Sequence, residues 1–206
     1  KIAVVDSAGR FADYLELRAD SLSTMGAASI LLGGRRTMTA DGVSIQVGAS
    51  DVEVANNASS PLTAPDLILA AQDHVTIADG SVLTAEGSAG SDQAVLHLDG
   101  PGALLRVTNG AQARVDRGAT GAGAGLLKVG AHTQFSGRSL IFDATGDTTI
   151  DATAKLAAQA VSLSSSKIAL GDTPAEAGGL KLTPALLRQI RDATELTLHS
   201  YSTLDI

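Results

Sequence analysis

The sequence predicts an all-β fold, a parallel β-helix (solenoid) of short strands with one short inserted α-helix near residues 183–193. Apolar residues recur in pairs two positions apart, the period of a strand. Gly, Asn, Asp or Ser clusters interrupt them about every ten residues, so the chain turns often. Candidate equivalent positions recur at spacings of 19 to 22 residues, about the length that one coil of three short strands and three corners needs.

The pairs run along the whole chain. They begin with Leu15/Leu17, Ile30/Leu32, Val43/Ile45/Val47, Val52/Val54, Leu67/Leu69, Val75/Ile77 and Leu96/Leu98. They continue with Val161/Leu163, Ile168/Leu170, Leu180/Leu182, Leu196/Leu198 and Leu204/Ile206. Strands this short are unstable alone and must be layered. Corners are expected at 77–82 and 108–112, where Asn and Gly tolerate positive φ. Two architectures fit, an antiparallel sandwich or barrel and a solenoid winding in one direction. Spacing favours the solenoid: Ile77 to Leu98, Val107 to Val129, Phe142 to Leu163 and Leu163 to Leu182 would stack equivalent strands. At about 4.8 Å between paired strands, roughly ten coils would make a rod on the order of 50 Å long.

One segment departs from the strand period. In "LTPALLRQIRDA" Thr183 can cap a helix, Pro184 suits its first turn, and Leu186, Leu187 and Ile190 share a face. This short helix is expected on the flank of the coil or over one end, or else as a docking element. Residues 56–65 and 118–125 read as loops leaving the coil. No long linker divides the chain, so 1–206 reads as a single β-helix segment.

Composition narrows the function. Hydrophobic residues make up 44% of the chain, yet the aromatic ones are only Phe11, Tyr14, Phe135, Phe142 and Tyr201, so the core must be aliphatic. The net charge of -7 and the absence of a basic, aromatic stripe argue against a nucleic-acid partner. The pairs Arg35/Arg36 and Arg114/Arg117 read as solvated edges. Without cysteine there is no thiol catalysis, thiolate metal site or disulfide scaffold. No stretch is long and apolar enough to span a membrane as a helix.

Candidate chemistry is sparse. Asp143, Asp147 and Asp151 fall at intervals of four, and carboxylates exposed on a parallel β-helix can serve as calcium ligands and bases of a polysaccharide lyase, but strands broken by corners do not put residues four apart on one face as a helix would. Solvated corner carboxylates are the expectation. "GSAGSDQAV" at 87–95 resembles one calcium-binding nonapeptide and occurs once, so an ordinary loop is expected. His74, His97, His132 and His199 show no metal-ligand spacing. No nucleophile elbow, phosphate loop or dinucleotide fingerprint is present. The sequence therefore nominates no catalytic, cofactor-binding or metal residue and predicts a protein that is not an enzyme.

Several phrases resemble the filamentous haemagglutinin family of exoproteins. They are "ASILLGGRR" from Ala28, "SPLTAPDLILAAQDHVTIADGSVLTAEG" from Ser60, "GPGALLRVTNG" from Gly100, "KLAAQAVSLSSSKIALGD" from Lys155 and "GGLKLTPALLRQIRDATELTLHSYSTLDI" from Gly178. The last resembles a segment toward the carboxyl-terminal part of such proteins. The resemblance implies a right-handed parallel β-helical shaft within a larger virulence-associated adhesin. It implies two-partner secretion through an outer-membrane partner, a bacterial cell-surface location, and a host or neighbouring-cell receptor or glycan as the contact. It carries over no catalytic residue. In that setting the sequon Asn57-Ala58-Ser59 is incidental. The rivals are a contact-dependent competition shaft, a polysaccharide lyase or hydrolase on the same scaffold, and a glycan-binding antiparallel sandwich.

Overall fold

A computed structural model of the chain describes residues 1–90, 94–170 and 178–205. Its elements run in the order β1 (Ile2–Val5), β2 (Leu15–Arg18), α1 (Ala19–Ser23), β3 (Ile30–Leu32), β4 (Gly34–Met38), β5 (Gly42–Val47), β6 (Asp51–Ala55), β7 (Leu62–Ala64), β8 (Asp66–Ala71), β9 (His74–Ile77) and β10 (Val82–Ala85). They continue with β11 (Val95–Leu98), β12 (Ala103–Thr108), β13 (Arg114–Asp116), β14 (Leu126–Val129), β15 (Gln134–Ser136), β16 (Ser139–Ala144), β17 (Thr148–Ile150), β18 (Lys155–Ala157), β19 (Ala160–Leu170), β20 (Leu180–Leu182), α2 (Pro184–Gln189) and β21 (Glu195–Asp205).

The strands form four sheets, so the fold is mostly β with mixed pairing. Sheet 1 has the order β17-β14-β9-β6-β1-β2 and sheet 2 the order β18-β15-β10-β7. Sheet 3 runs β20-β19-β16-β12-β8-β3, with β21 also paired to β19. Sheet 4 is β13-β11-β5-β4. From β6 to β19 the chain visits sheets 1, 2 and 3 in that cyclic order, returning to each one strand further along. Leu62 pairs with Leu83, Leu127 with Thr148, Phe135 with Leu156 and Leu140 with Val161, all in parallel and all 21 residues apart.

These registers explain the period-two sequence. One face of each strand is aliphatic, and stacking equivalent positions builds a continuous interior: Val52 on Val75 on Leu127, and Leu62 on Leu83 on Phe135 on Leu156. The rings of Phe135 and Phe142 meet there edge to face, with centroids 5.3 Å apart and planes at 82°. Fully burying such a side chain stabilises the fold by about 1.5–3 kcal/mol.

The circuit is interrupted between β10 and β14. The chain leaves the inner stack to lay β11 into sheet 4, returns through β12 in sheet 3, and goes out again for β13. Two of the expected stackings fail for this reason. Ile77 pairs with Val129 and not Leu98, while Val107 lies antiparallel between Leu67 and Leu140. Phe142 does stack on Leu163, but Leu182 pairs with Leu170. Because residues are spent on sheet 4, sheet 1 holds six layers, not ten.

Sheet 4 covers the outward face of sheet 3. That is why β8, β12 and β16 are buried at every residue, with Leu67, Leu105 and Phe142 facing the inner stack while Ile68, Leu104 and Ile141 face Val43, Ile45, Leu96 and Leu98 of sheet 4. Such strands read as continuous apolar runs rather than alternating ones.

Two helices close the ends of sheet 2. α1 packs against β7 and α2 against β18. α2 is capped as its sequence predicts, Thr183 Oγ1 accepting the Leu186 amide at 3.2 Å, but it ends at Gln189 and turns only Leu186 and Ile190 inward, leaving Leu187 39% exposed. α1 was not anticipated, because five residues carry too little periodicity to register. Residues 62–64, expected in a loop, form β7, whereas 118–125 is an irregular connection. Ile206 lies outside the described residues.

Candidate surface groove and its buried ion pairs

Sheet 3 carries charge between its layers. Arg106 on β12 donates from Nε to Asp66 Oδ1 at 2.7 Å, both side chains being almost wholly buried. Ser29 donates to the other Asp66 oxygen at 2.7 Å and accepts from Arg36 at the same distance. Near the other edge of sheet 4, Arg117 Nε donates to Asp143 Oδ1 at 2.8 Å and its Nη1 to the Gly100 carbonyl at 3.0 Å. Nη2 is equally close to Asp143 Oδ1 but at an angle that makes an ion pair without a hydrogen bond. Tyr201 on β21 donates to Asp143 Oδ2 at 2.7 Å. Each pair ties an arginine to an aspartate on a different strand or turn. Such pairs contribute little net stability, because desolvation offsets their attraction, but removing one partner alone is costly.

Arg117 therefore departs from expectation: it is a buried counter-ion and not a solvated edge. Arg36 is likewise engaged at Ser29 and 3.8 Å from Asp66, while Arg35 and Arg114 are exposed as expected. Asp143 is also no corner carboxylate, since it is fully buried. Asp147 accepts the Gly179 amide at 2.6 Å and the Ser166 hydroxyl at 3.1 Å, and Asp151 accepts the amide and hydroxyl of Thr153. Asp143 holds the side chains of Arg117 and Tyr201, whereas Asp147 and Asp151 hold the backbone at Gly179 and Thr153, so the three share no partner.

The histidines also stay apart. His74 Nδ1 lies 2.7 Å from Asp51, and His97 sits between Asp41 at 3.1 Å and Asp116 at 3.5 Å. His132 occupies a corner at φ 56°, and the His199 ring lies 4.6 Å from that of Tyr201. Among the described residues no group of three such side chains is placed to hold a metal ion. The nonapeptide-like stretch 87–95 falls partly outside the described residues.

What the fold does build is a groove. Sheet 4 ends at β13 while sheet 3 continues through β19 and β21, leaving an open trough of about 690 Å³. Its floor is Ser162 and Ser164 on β19. One wall carries Gln112, Arg114, Asp116 and Thr120, and the other Glu195, Thr197, His199 and Tyr201. The parallel register places Ser162 between Ile141 and Thr197, so small side chains on the middle strand recess the floor. The Gly118 amide holds the Asp116 carboxyl below the usual carboxylate range against the effect of burial, with help from Arg114 and His97.

Burial, then the charge and hydrogen bond of Asp143, raise the Tyr201 phenol well above its ordinary value of 10.0. The neutral phenol is thus favoured by folding. Its contribution is fully present below pH about 10 and is lost as pH rises toward the raised value. The stability gap between the wild type and Tyr201→Phe, read from urea midpoints, is expected to be widest at neutral pH and to narrow above pH about 10. A gap unchanged through pH about 11 would show that the phenol and Asp143 are not linked.

Comparison with known protein families, with characterised proteins and with solved structures yields no match to this chain.

Proposed function

We propose that this chain is a structural and adhesive segment, not an enzyme, of a large secreted bacterial surface protein of the filamentous haemagglutinin type. In this reading sheets 1, 2 and 3 wind as a right-handed parallel β-helix, decorated on one flank by sheet 4. The observation that carries the proposal is the cyclic return to the same three sheets around a continuous apolar interior, at a spacing of 21 residues between β7 and β10 and from β14 to β19, where sheet 4 does not intervene. Stacked coils of this kind are stiff and present long lateral surfaces for contact. The right hand follows the strong chirality preference of parallel crossovers. Export through an outer-membrane partner to the cell surface, with a receptor or glycan as the target, follows from the sequence resemblance.

The test is attachment. Surfaces coated with the protein are expected to retain host or neighbouring bacterial cells, while acidic polysaccharides incubated with it, with or without calcium, stay intact. Absence of attachment would overturn the adhesive reading, and polysaccharide turnover abolished by Asp147→Ala would put the enzymatic one in its place.

A further inference from the structure

We infer that the groove between β13 and β21 binds a neutral oligosaccharide, an assignment that gives the adhesive reading its ligand class and rests on that reading for its biological meaning. Charge is the first reason. Arg117 is neutralised by Asp143 at 2.8 Å, and Arg114 faces Asp116 at 3.5 Å, so the groove offers no free arginine to an anionic chain. Glu195 on the opposite wall, without an ion-pair partner among the described residues, repels one.

Hydrogen bonding is the second reason. The Ser139 hydroxyl donates to Gln112 Oε1 at 3.2 Å, which orients the side chain and leaves its amide N–H groups for a ligand. The hydroxyl-bearing side chains of Ser162, Ser164, Thr120 and Thr197 line the same trough. Sugar hydroxyls, each both donor and acceptor, match such a mixture. Tyr201, fixed by Asp143, meets His199 at 66° to make a rigid aromatic corner against which the C–H face of a sugar ring can pack.

An added peptide strand fits less well. β13 is three residues long, and Arg114 spends its amide on the Ala94 carbonyl just before β11, so only Val115 turns its backbone groups toward the trough. Arg117 then enters the core and Gly118, at φ 57°, turns the chain away, which leaves no ladder to extend at β13.

Backbone-amide NMR of the whole chain, titrated with cellotetraose, xylotetraose and galactotetraose, tests the assignment. A heparin tetrasaccharide and an extended valine- and threonine-rich octapeptide form the comparison arms. At least one neutral tetrasaccharide is expected to shift the amides of 112–120 and 195–201. Gln112→Ala and His199→Ala should each weaken that binding by about tenfold, His199→Ala without moving the unfolding midpoint and Gln112→Ala with a modest fall in it as the buried Ser139 hydroxyl loses its acceptor. The assignment is overturned if none of the neutral sugars shifts those amides, if heparin or the peptide alone does so, or if both variants bind as the wild type does. Cell attachment that persists in the Gln112→Ala/His199→Ala double variant removes the groove and leaves the adhesive role standing. Sugar binding without cell attachment does the reverse.

Discussion

Asp143→Ala is expected to lower the stability of the fold by about 3–5 kcal/mol, among the largest effects of any single side-chain truncation in this chain. The reason is the partner left behind. The Arg117 side chain is 1% exposed, and among the described residues its other hydrogen bond goes to the Gly100 carbonyl. Removing the carboxylate strands a guanidinium where water does not reach, and a buried arginine cannot escape the cost by losing its proton. The substitution also frees Tyr201, so β21 loses the hydrogen bond that links it to β16. A double variant, Arg117→Met with Asp143→Leu, is expected to recover most of the loss, because an apolar pair of similar volume pays no desolvation cost. Urea unfolding of the three proteins measures both effects. A loss below about 1 kcal/mol for Asp143→Ala would mean that solvent reaches the pair and that the end of sheet 4 is open.

How far these features were visible in the sequence depends on which face of a strand carries them. Strands buried on one face, such as His74–Ile77 and Val82–Ala85, print their alternation directly, and the spacing from Phe142 to Leu163 was a true layer. Sheet 3 printed a different signal. "DLILAA", "ALLRVT" and "SLIFDA" are apolar at consecutive positions, the mark of a strand covered on both faces, and they imply a second sheet outside the first. Asp66, Arg106 and Asp143 lie inside those runs, where a charged residue must find a partner, so the ion pairs had a sequence signature even though the pairings did not. The reversed direction of β12 was hinted at only by the Gly-Pro-Gly turn at 100–102. The groove had no such signature, since Gln112, Ser162 and His199 share a surface only because sheet 4 stops at β13 while sheet 3 continues through β19 and β21.

The β3–β4 connection from sheet 3 to sheet 4 turns on one glycine, and Gly33→Ala is expected to cost roughly 2–5 kcal/mol as two penalties combine. Gly33 links β3 to β4 at φ 91°, a conformation that costs an alanine about 1–2 kcal/mol. A Cβ there would lie 1.9 Å from the Ala70 carbonyl oxygen and 2.9 Å from Val52 Cγ2, an overlap with backbone that costs about a further 1–3 kcal/mol to relieve. Relief is limited because the Gly33 carbonyl accepts the amides of Gly48 and Ala49 at 2.8 and 3.0 Å, pinning both ends of the β4–β5 hairpin to one peptide group. If the hairpin lifts to accommodate the methyl group, Val43 and Ile45 leave Ile68 and Ala70, so the strain is exchanged for exposed apolar surface. Gly48→Ala is the control: its Cβ would meet nothing within 4 Å, and its stability should stay within about 0.5 kcal/mol of the wild type. Equal urea midpoints for the two alanine variants would show that β3 and β4 are not joined by the tight reversal on which the cover over sheet 3 depends.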